Sequence, residues 1–551
     1  MQSPFFWKTW PDQQRRMLYL LGALLVFSMA YMWFNYFRGA DNVIGWEKVQ
    51  EQKAIETTVH DFRTGPFHIS VPAENYVIFE YLAGTPLRHN LVASYIFLSV
   101  FAVAVVFLLA VVTIVDRFWY FVGMSLFIVL MVSMKFEVLA LFGQGITVTI
   151  GILIVYVVPS FYYKYVRVTA SFTERVLVFL LITAVLATVI GLFSQAEYPY
   201  LHMVATAYVS SLILTLLFII TVAHEIMVAF VYITSEGIRE GAAKHFSLIS
   251  FIYLVNVLIT CLHEMGVVEW NFIYINLYLL ITISAVLGLW GFRIREPQYE
   301  RIFLFEPIGA FFFLCFASIC FITIAQLLGN ANDAALKVIR DIIIFSHAGF
   351  GIVFFIYFFS NFLAMMGDGN RVYRVLYKPN RMPYFTFRLA GLLASLAFVI
   401  ASHWSDYVYH STAGFYNYIA DLYMVQGDEQ YGRAFYEQSS SRAFQNHRAN
   451  YALGIIKTDR LDFDKAKRNY EMANGRRPTE YSLANEGNLY FWTGRYFDAI
   501  QAFQNAHKKS PGSGVLNNNL GYAFAKVHAI DSASHYLNRA RSHSLTKSSA
   551  E

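Results

Sequence analysis

Along most of the chain the apolar positions form runs, not stripes. Stretches of about twenty apolar residues recur from Met17 to Ser402, each long enough to carry a helix across a ~30 Å hydrocarbon core. Eleven runs can be drawn, at roughly 17–37, 91–115, 118–134, 145–165, 175–195, 202–233, 246–262, 270–292, 303–328, 341–365 and 384–402. The third could extend to Phe142, past Lys135 and Glu137, and the sixth is over-long and must tilt or protrude. The first run is too long for a signal-peptide core and ends in YFRGAD without an A-x-A pattern, so it reads as an uncleaved anchor. Two segments interrupt the apolar pattern. Within residues 38–90, WEKVQEQKAIETTVHDF (46–62) predicts a short helix and FHISVPAENYVIFEYL (67–82) a strand-like stretch. After Trp404 the chain becomes polar and helical in pattern.

Composition agrees with the runs. The 551 residues are 57% hydrophobic and 14% charged, against about a quarter charged in soluble chains. The class is a polytopic membrane protein with the lipid bilayer as its first partner. A net charge of +5 with scattered basic residues argues against a nucleic-acid-binding surface. Cys261, Cys315 and Cys320 lie in apolar runs without CxxC spacing and read as small buried hydrophobes.

Charge bias orients the spans. With the N-terminal tail inside, the tail and inner loops hold 17 Lys and Arg, and the short outer loops hold three, Lys135, Lys337 and Arg340. The odd span count then puts residues 38–90 and everything after Trp404 on the outer face, which in a bacterial inner membrane is the periplasm. The expected order is a cytoplasmic tail (1–16), a first transmembrane helix (17–37), an extracytoplasmic loop (38–90), a ten-span bundle (91–402), an interfacial linker (403–410), a helical-repeat domain (411–541) and a tail (542–551).

The polar C-terminal region is self-similar at about 34 residues. Ala420, Gly454, Gly487 and Gly521 align at intervals of 34, 33 and 34. Twelve residues later come Gly432, Ala466, Ala499 and Ala533, then Tyr436, Tyr470, Phe503 and Leu537, then Ser439, Ala473, Ala506 and Ala540; Pro478 and Pro511 close the middle repeats. This small–small–aromatic–small–Pro pattern resembles the tetratricopeptide repeat family. The resemblance covers about a quarter of the chain. It implies an α-solenoid of helix pairs with a concave surface for a protein or peptide, and it does not imply an enzyme. Departures are Glu486 in place of a large apolar residue, Lys457 in place of an aromatic, and a first repeat without its Pro. The expected fold class is therefore all-α: a bundle of about eleven spans followed by tetratricopeptide-like helix pairs.

Ionisable residues inside the spans are candidates for chemistry. His224-Glu225 and His263-Glu264 invite a metal reading, with His347 and His202 as conceivable further ligands. A zincin helix needs HExxH, and the i+4 positions here are Val228 and Val267. Counting along the spans places the two pairs near opposite membrane faces, so they read as two separate polar edges, each with its own partner. No metal and no cofactor are expected. Lys135 and Glu137 read as a snorkelling helix end, Asp341 as an acid at a helix N-terminus. The basic aromatic segment RVYRVLYKPNRMPYFTFR (371–388) suits a membrane surface, with anionic head groups as one ligand.

The outer loop carries several acids, including Asp41 just beyond the first span. In this it is loosely similar to the lipid-linked glycosyltransferases of the multi-span C superfamily, some of which carry outer tetratricopeptide repeats. That resemblance implies a general base toward an acceptor, with Asp41 or Asp61 in the role. Three functions follow. The leading one is a non-enzymatic membrane scaffold that presents the repeats to an extracytoplasmic protein for envelope assembly, secretion or surface-polymer export. The others are a lipid-linked glycosyltransferase, and a transporter or ion-coupled machine.

Overall fold

The computed structural model describes residues 5–143, 145–237, 242–264, 267–268, 275–367, 372, 376 and 381–551. The start of the eighth expected span and most of the basic segment 371–380 lie outside the described residues. The chain divides into two compact units: Met1–Gly39 with Asn90–Gly427, and Ala40–His89 with Asp428–Glu551. The loop between the first two spans thus belongs to the same unit as the C-terminal repeats.

The first unit is helical. Its main helices are α1 (Asp12–Arg38), α2 (Leu91–Val112), α3 (Arg117–Ser133), α4 (Ile146–Tyr165), α5 (Phe172–Phe193), α6 (Pro199–Val222), α7 (Glu225–Gly237), α8 (Ala242–Glu264) and α9 (Leu277–Ile294). A short α10 (Glu296–Tyr299) leads to α11 (Ala310–Gly329), α12 (Asp333–Gly367), α13 (Tyr384–Ala401) and α14 (Trp404–Val425). Among the described residues eleven segments are long and apolar enough to cross a membrane, and the protein is read as an integral membrane protein. The hub is α11, apolar on all sides, which packs against α1, α2, α6 and α9. A helix apolar all round belongs in the centre of a bundle.

Three of the expected segments gain detail. The over-long sixth run is one apolar span, Pro199–Ser235, with a two-residue turn at Ala223–His224 that divides it into α6 and α7. The third span does not continue to Phe142. Its regular helix stops at Ser133, Lys135 adopts a left-handed φ of 47°, and a 3-10 turn at Phe136–Leu139 carries the apolar span past Lys135 and Glu137 to Leu139. Most of the expected linker 403–410 is helical. Nothing in WSDYVYH breaks a helix, and residues 404–410 form the start of α14, which runs unbroken to Val425 after a left-handed His403.

The second unit contains seven main helices: α15 (Glu429–Arg442), α16 (His447–Asp459), α17 (Phe463–Asn474), α18 (Glu480–Trp492), α19 (Tyr496–Lys509), α20 (Gly514–Lys526) and α21 (Ile530–Ala540). Consecutive helices pack on one another from α15 to α21. One contact recurs three times. A Cβ on Gly454 would lie 2.7 Å from the Tyr470 ring, one on Gly521 would lie 2.7 Å from Leu537 Cγ, and one on Gly487 would overlap Phe503. Each glycine lets the first helix of a pair approach the large side chain sixteen residues on. Ala466 and Ala499 are fully buried and Ala533 nearly so. Pro478 precedes the capping box of Thr479 and Ser482 that opens α18, and Pro511 lies just before the Ser513 cap of α20. Glu486 is accommodated by Asn474, whose amide donates to its carboxylate at 2.7 Å.

The same unit holds an antiparallel ribbon, β1 (Trp46–Thr64) and β2 (Phe67–Gly84), paired along its whole length with one irregularity between Thr58 and His60. The helix expected at 46–62 is therefore a strand. Its Lys, Glu and Gln content favours helix locally, but Val49, Ile55, Thr57, Thr58 and Val59 suit a strand, and pairing with β2 decides between them. Among the described residues the ribbon is the exception to an otherwise helical fold.

Candidate functional site

In the second unit, the last residues of β2 lie against the first helices of successive pairs. Leu82 and Gly84 turn their backbone groups away from β1, which would leave a strand edge unpaired. Asparagine side chains pair it instead. Asn519 Nδ2 donates to the Leu82 carbonyl at 2.7 Å, and its Oδ1 accepts from the Leu82 amide at 2.9 Å. Asn485 does the same for Gly84, donating at 3.0 Å and accepting at 2.7 Å. Asn488 donates to the Leu82 carbonyl at 3.0 Å and Asn518 to the Glu80 carbonyl at 3.1 Å. Tyr451 Oη donates to the Thr85 carbonyl at 2.8 Å. A carboxamide offers one acceptor and a donor pair, so it can match a peptide group. The four asparagines stand where a third strand would.

Those bonds recognise backbone, and other contacts read the sequence. Leu82 is fully buried. A Cβ on Gly84 would sit 2.5 Å from Tyr451 Oη and 3.1 Å from Tyr481 Cβ, so only glycine fits without a shift. Tyr81 accepts from Trp492 Nε1 at 2.8 Å and stacks on Tyr522. Trp46 stacks on Tyr481 with ring centroids 4.2 Å apart. Glu51 accepts from Tyr522 and from Lys526 Nζ. The Lys526 bond, followed by the Tyr522 bond, holds the Glu51 carboxyl below the ordinary carboxylate range. With both partners on α20, this ion pair fixes the flank of the ribbon.

Beyond this clasp the ribbon is unlike its base. Opposed residues of an antiparallel pair share a face, so the pairs Phe62–Ile69 and Thr64–Phe67 lie on the face of Val71, Phe79 and Tyr81. Phe79 and Tyr81 pack on the helices, while Phe62, Phe67, Ile69 and Val71 are 42–69% exposed. The opposite face carries Asp61, Arg63, His68, Ser70 and Glu74.

A second polar cluster lies inside the first unit. His224 and Glu225 were expected as an edge where a helix leaves lipid; they are instead enclosed, at 0% and 1% exposure. Glu225 accepts from the Arg295 guanidinium, Arg295 Nε also donates to the Gly291 carbonyl at 3.1 Å, and Arg388 Nη1 donates to His224 Nδ1 at 3.0 Å. A side chain on Gly291 would overlap the Glu225 carboxylate. A charge is tolerable in such surroundings only when paired. His347 binds Ser284 at 2.9 Å and the Ile343 carbonyl at 2.7 Å. Glu264 pairs with Arg340 at 3.5 Å, so the two His-Glu motifs have different basic partners. His202 lies 3.4 Å from Gln426 Nε2. Asp341 pairs with Lys337 and Glu137 accepts from Thr149 at 2.8 Å. Among the described residues no three His, Cys, Asp or Glu side chains gather as a metal site.

Asp41 and Asp61 are not brought together. Asp41 accepts from Tyr481 Oη at 2.9 Å beside the clasp, whereas Asp61 pairs with His68 in the exposed part of the ribbon. The residues that sequence reasoning missed are the asparagines. Their signal was positional: Asn485 and Asn519 both stand two residues before the glycine of their repeat. No family model and no curated protein matches this chain.

Proposed function

We propose that this protein is a membrane-anchored scaffold in which tetratricopeptide-like helix pairs grip one end of a β-ribbon and present the rest to an extracytoplasmic protein. The observation that carries this reading is the asparagine clasp on Glu80, Leu82 and Gly84. A solenoid's concave face suits extended peptide, and here the chain's own strand takes that place. Recruitment then falls to the distal ribbon, whose strand edges and apolar face suit strand addition by a partner. The setting consistent with the charge bias is a bacterial inner membrane with the ribbon and repeats in the periplasm, serving envelope assembly, secretion or surface-polymer export.

The test is photocrosslinking in the native membrane from a reactive residue at Ser70 or at Ile69 of the full-length protein. A discrete protein adduct that disappears in Phe62→Asp, with the clasp intact, supports recruitment by the apolar face. Absence of any adduct at both sites contradicts it.

A further inference from the structure

The first unit encloses a cavity of about 650 Å³ among α2, α3, α4, α5 and α6. Its α2 wall runs from Tyr95 to Leu109, a length of ~21 Å at 1.5 Å per residue. That exceeds the ~15 Å depth of one leaflet's hydrocarbon, and it follows the axis of a spanning helix, the direction in which lipid tails also lie. The wall is almost wholly apolar, and most of its polar side chains are already engaged. Tyr156 Oη and Thr183 Oγ1 bond to each other at 2.8 Å, Tyr200 Oη donates to the Ala187 carbonyl at 2.9 Å, and Ser99 Oγ to the Tyr95 carbonyl at 2.8 Å. Water needs two to four polar partners to enter a buried space, and this one offers few. Met131, Met134 and Met203 line it, side chains that adapt to an irregular apolar guest. Ser99 and Ala187 on the rim are exposed, whereas Leu109, Met131 and Ile152 in the wall are buried. The cavity therefore opens sideways between α2 and α5, toward the side where the spans meet lipid.

We infer that this slot binds one acyl chain of a bilayer phospholipid, drawn in laterally past Ser99 and Ala187. The inference is independent of the recruitment reading, since it rests on the spans alone. The test reconstitutes the full-length protein in phosphatidylcholine vesicles doped with phosphatidylcholine that bears a diazirine on one acyl chain. After photolysis, mass spectrometry should find adducts at the buried wall residues Leu109, Met131 and Ile152, and at the exposed positions Val129 and Leu181, which any boundary lipid reaches. Ala102→Phe, in the wall, and Ala187→Phe, at the mouth, should each abolish the wall adducts and leave those at Val129 and Leu181. Circular dichroism and thermal melting confirm that each variant is folded. No wall adducts in the wild type, or undiminished wall adducts in both folded variants, would overturn the proposal. Labelling by a diazirine-bearing isoprenoid alcohol but not by the phospholipid would overturn it as well.

Discussion

Two buried polar constructions differ in what they are made of. In the first unit, Glu225 and Arg295 bury an ion pair, and the enclosed His224 ring beside it takes a hydrogen bond from the half-buried Arg388. In the second, Asn485, Asn488, Asn518 and Asn519 bury neutral amides. Buried ions tolerate no missing partner, so the charged cluster locks α7, α9 and α13 into one arrangement. Amides cost less to bury, and they match the alternating donors and acceptors of an extended chain. The charged cluster suits a fixed bundle. The amide row suits holding a strand whose sequence matters at only a few positions, Leu82 and Gly84 above all.

The contrast predicts a graded set of effects. The largest follows from Arg295→Ala, which strands the Glu225 carboxylate and should destabilise the membrane unit by about 3–5 kcal/mol. Thermal melting in detergent reads this, and Arg295→Leu combined with Glu225→Leu should recover much of the loss. Next, Asn519→Ala leaves the Leu82 amide without its side-chain partner, while Asn488 still donates to the Leu82 carbonyl, and should cost about 1–3 kcal/mol, measured as faster hydrogen exchange at Leu82. Full stability of Arg295→Ala, or unchanged exchange in Asn519→Ala, would erase the distinction drawn between the two networks.

Gly84→Ala should cost about 1–3 kcal/mol through crowding against Tyr451. Tyr451→Phe should relieve part of that cost, so the double variant loses less than the sum of the singles. The smallest effect concerns pH. Glu51 has a carboxyl held lower in the folded state than in the unfolded chain. Its contribution is therefore present above the unfolded carboxylate pKa and is lost as pH falls through the folded one. Ribbon docking should loosen on acidification below the ordinary carboxylate range, and Glu51→Gln should flatten that dependence. Exchange at the ribbon base as a function of pH reads both.

Much of the bundle was legible because a spanning helix needs only local apolar length. The small-to-large contacts of Gly454, Gly487 and Gly521 were legible because each depends on a residue sixteen positions on. The clasp was not, since Leu82 and Asn519 are 437 residues apart and nothing local links them. The strand state of 46–62 was misread for a related reason: its polar composition favours helix, and β2 overrides it. His224-Glu225 was seen as notable, but its partners Arg295 and Arg388 looked like loop charges obeying the inside rule. Instead Arg295 pairs with the buried Glu225, and the half-buried Arg388 donates to the His224 ring.

The claim that the helix pairs hold only the base of the ribbon is tested most directly by residue-resolved hydrogen exchange of the full-length protein in lipid nanodiscs. Leu82 and Gly84 should exchange slowly in the wild type and rapidly in Asn485→Ala combined with Asn519→Ala. Residues of the distal ribbon that face outward from the strand pair, between Thr57 and Val77, should exchange quickly in both. Rapid exchange at Leu82 and Gly84 in the wild type would contradict the account.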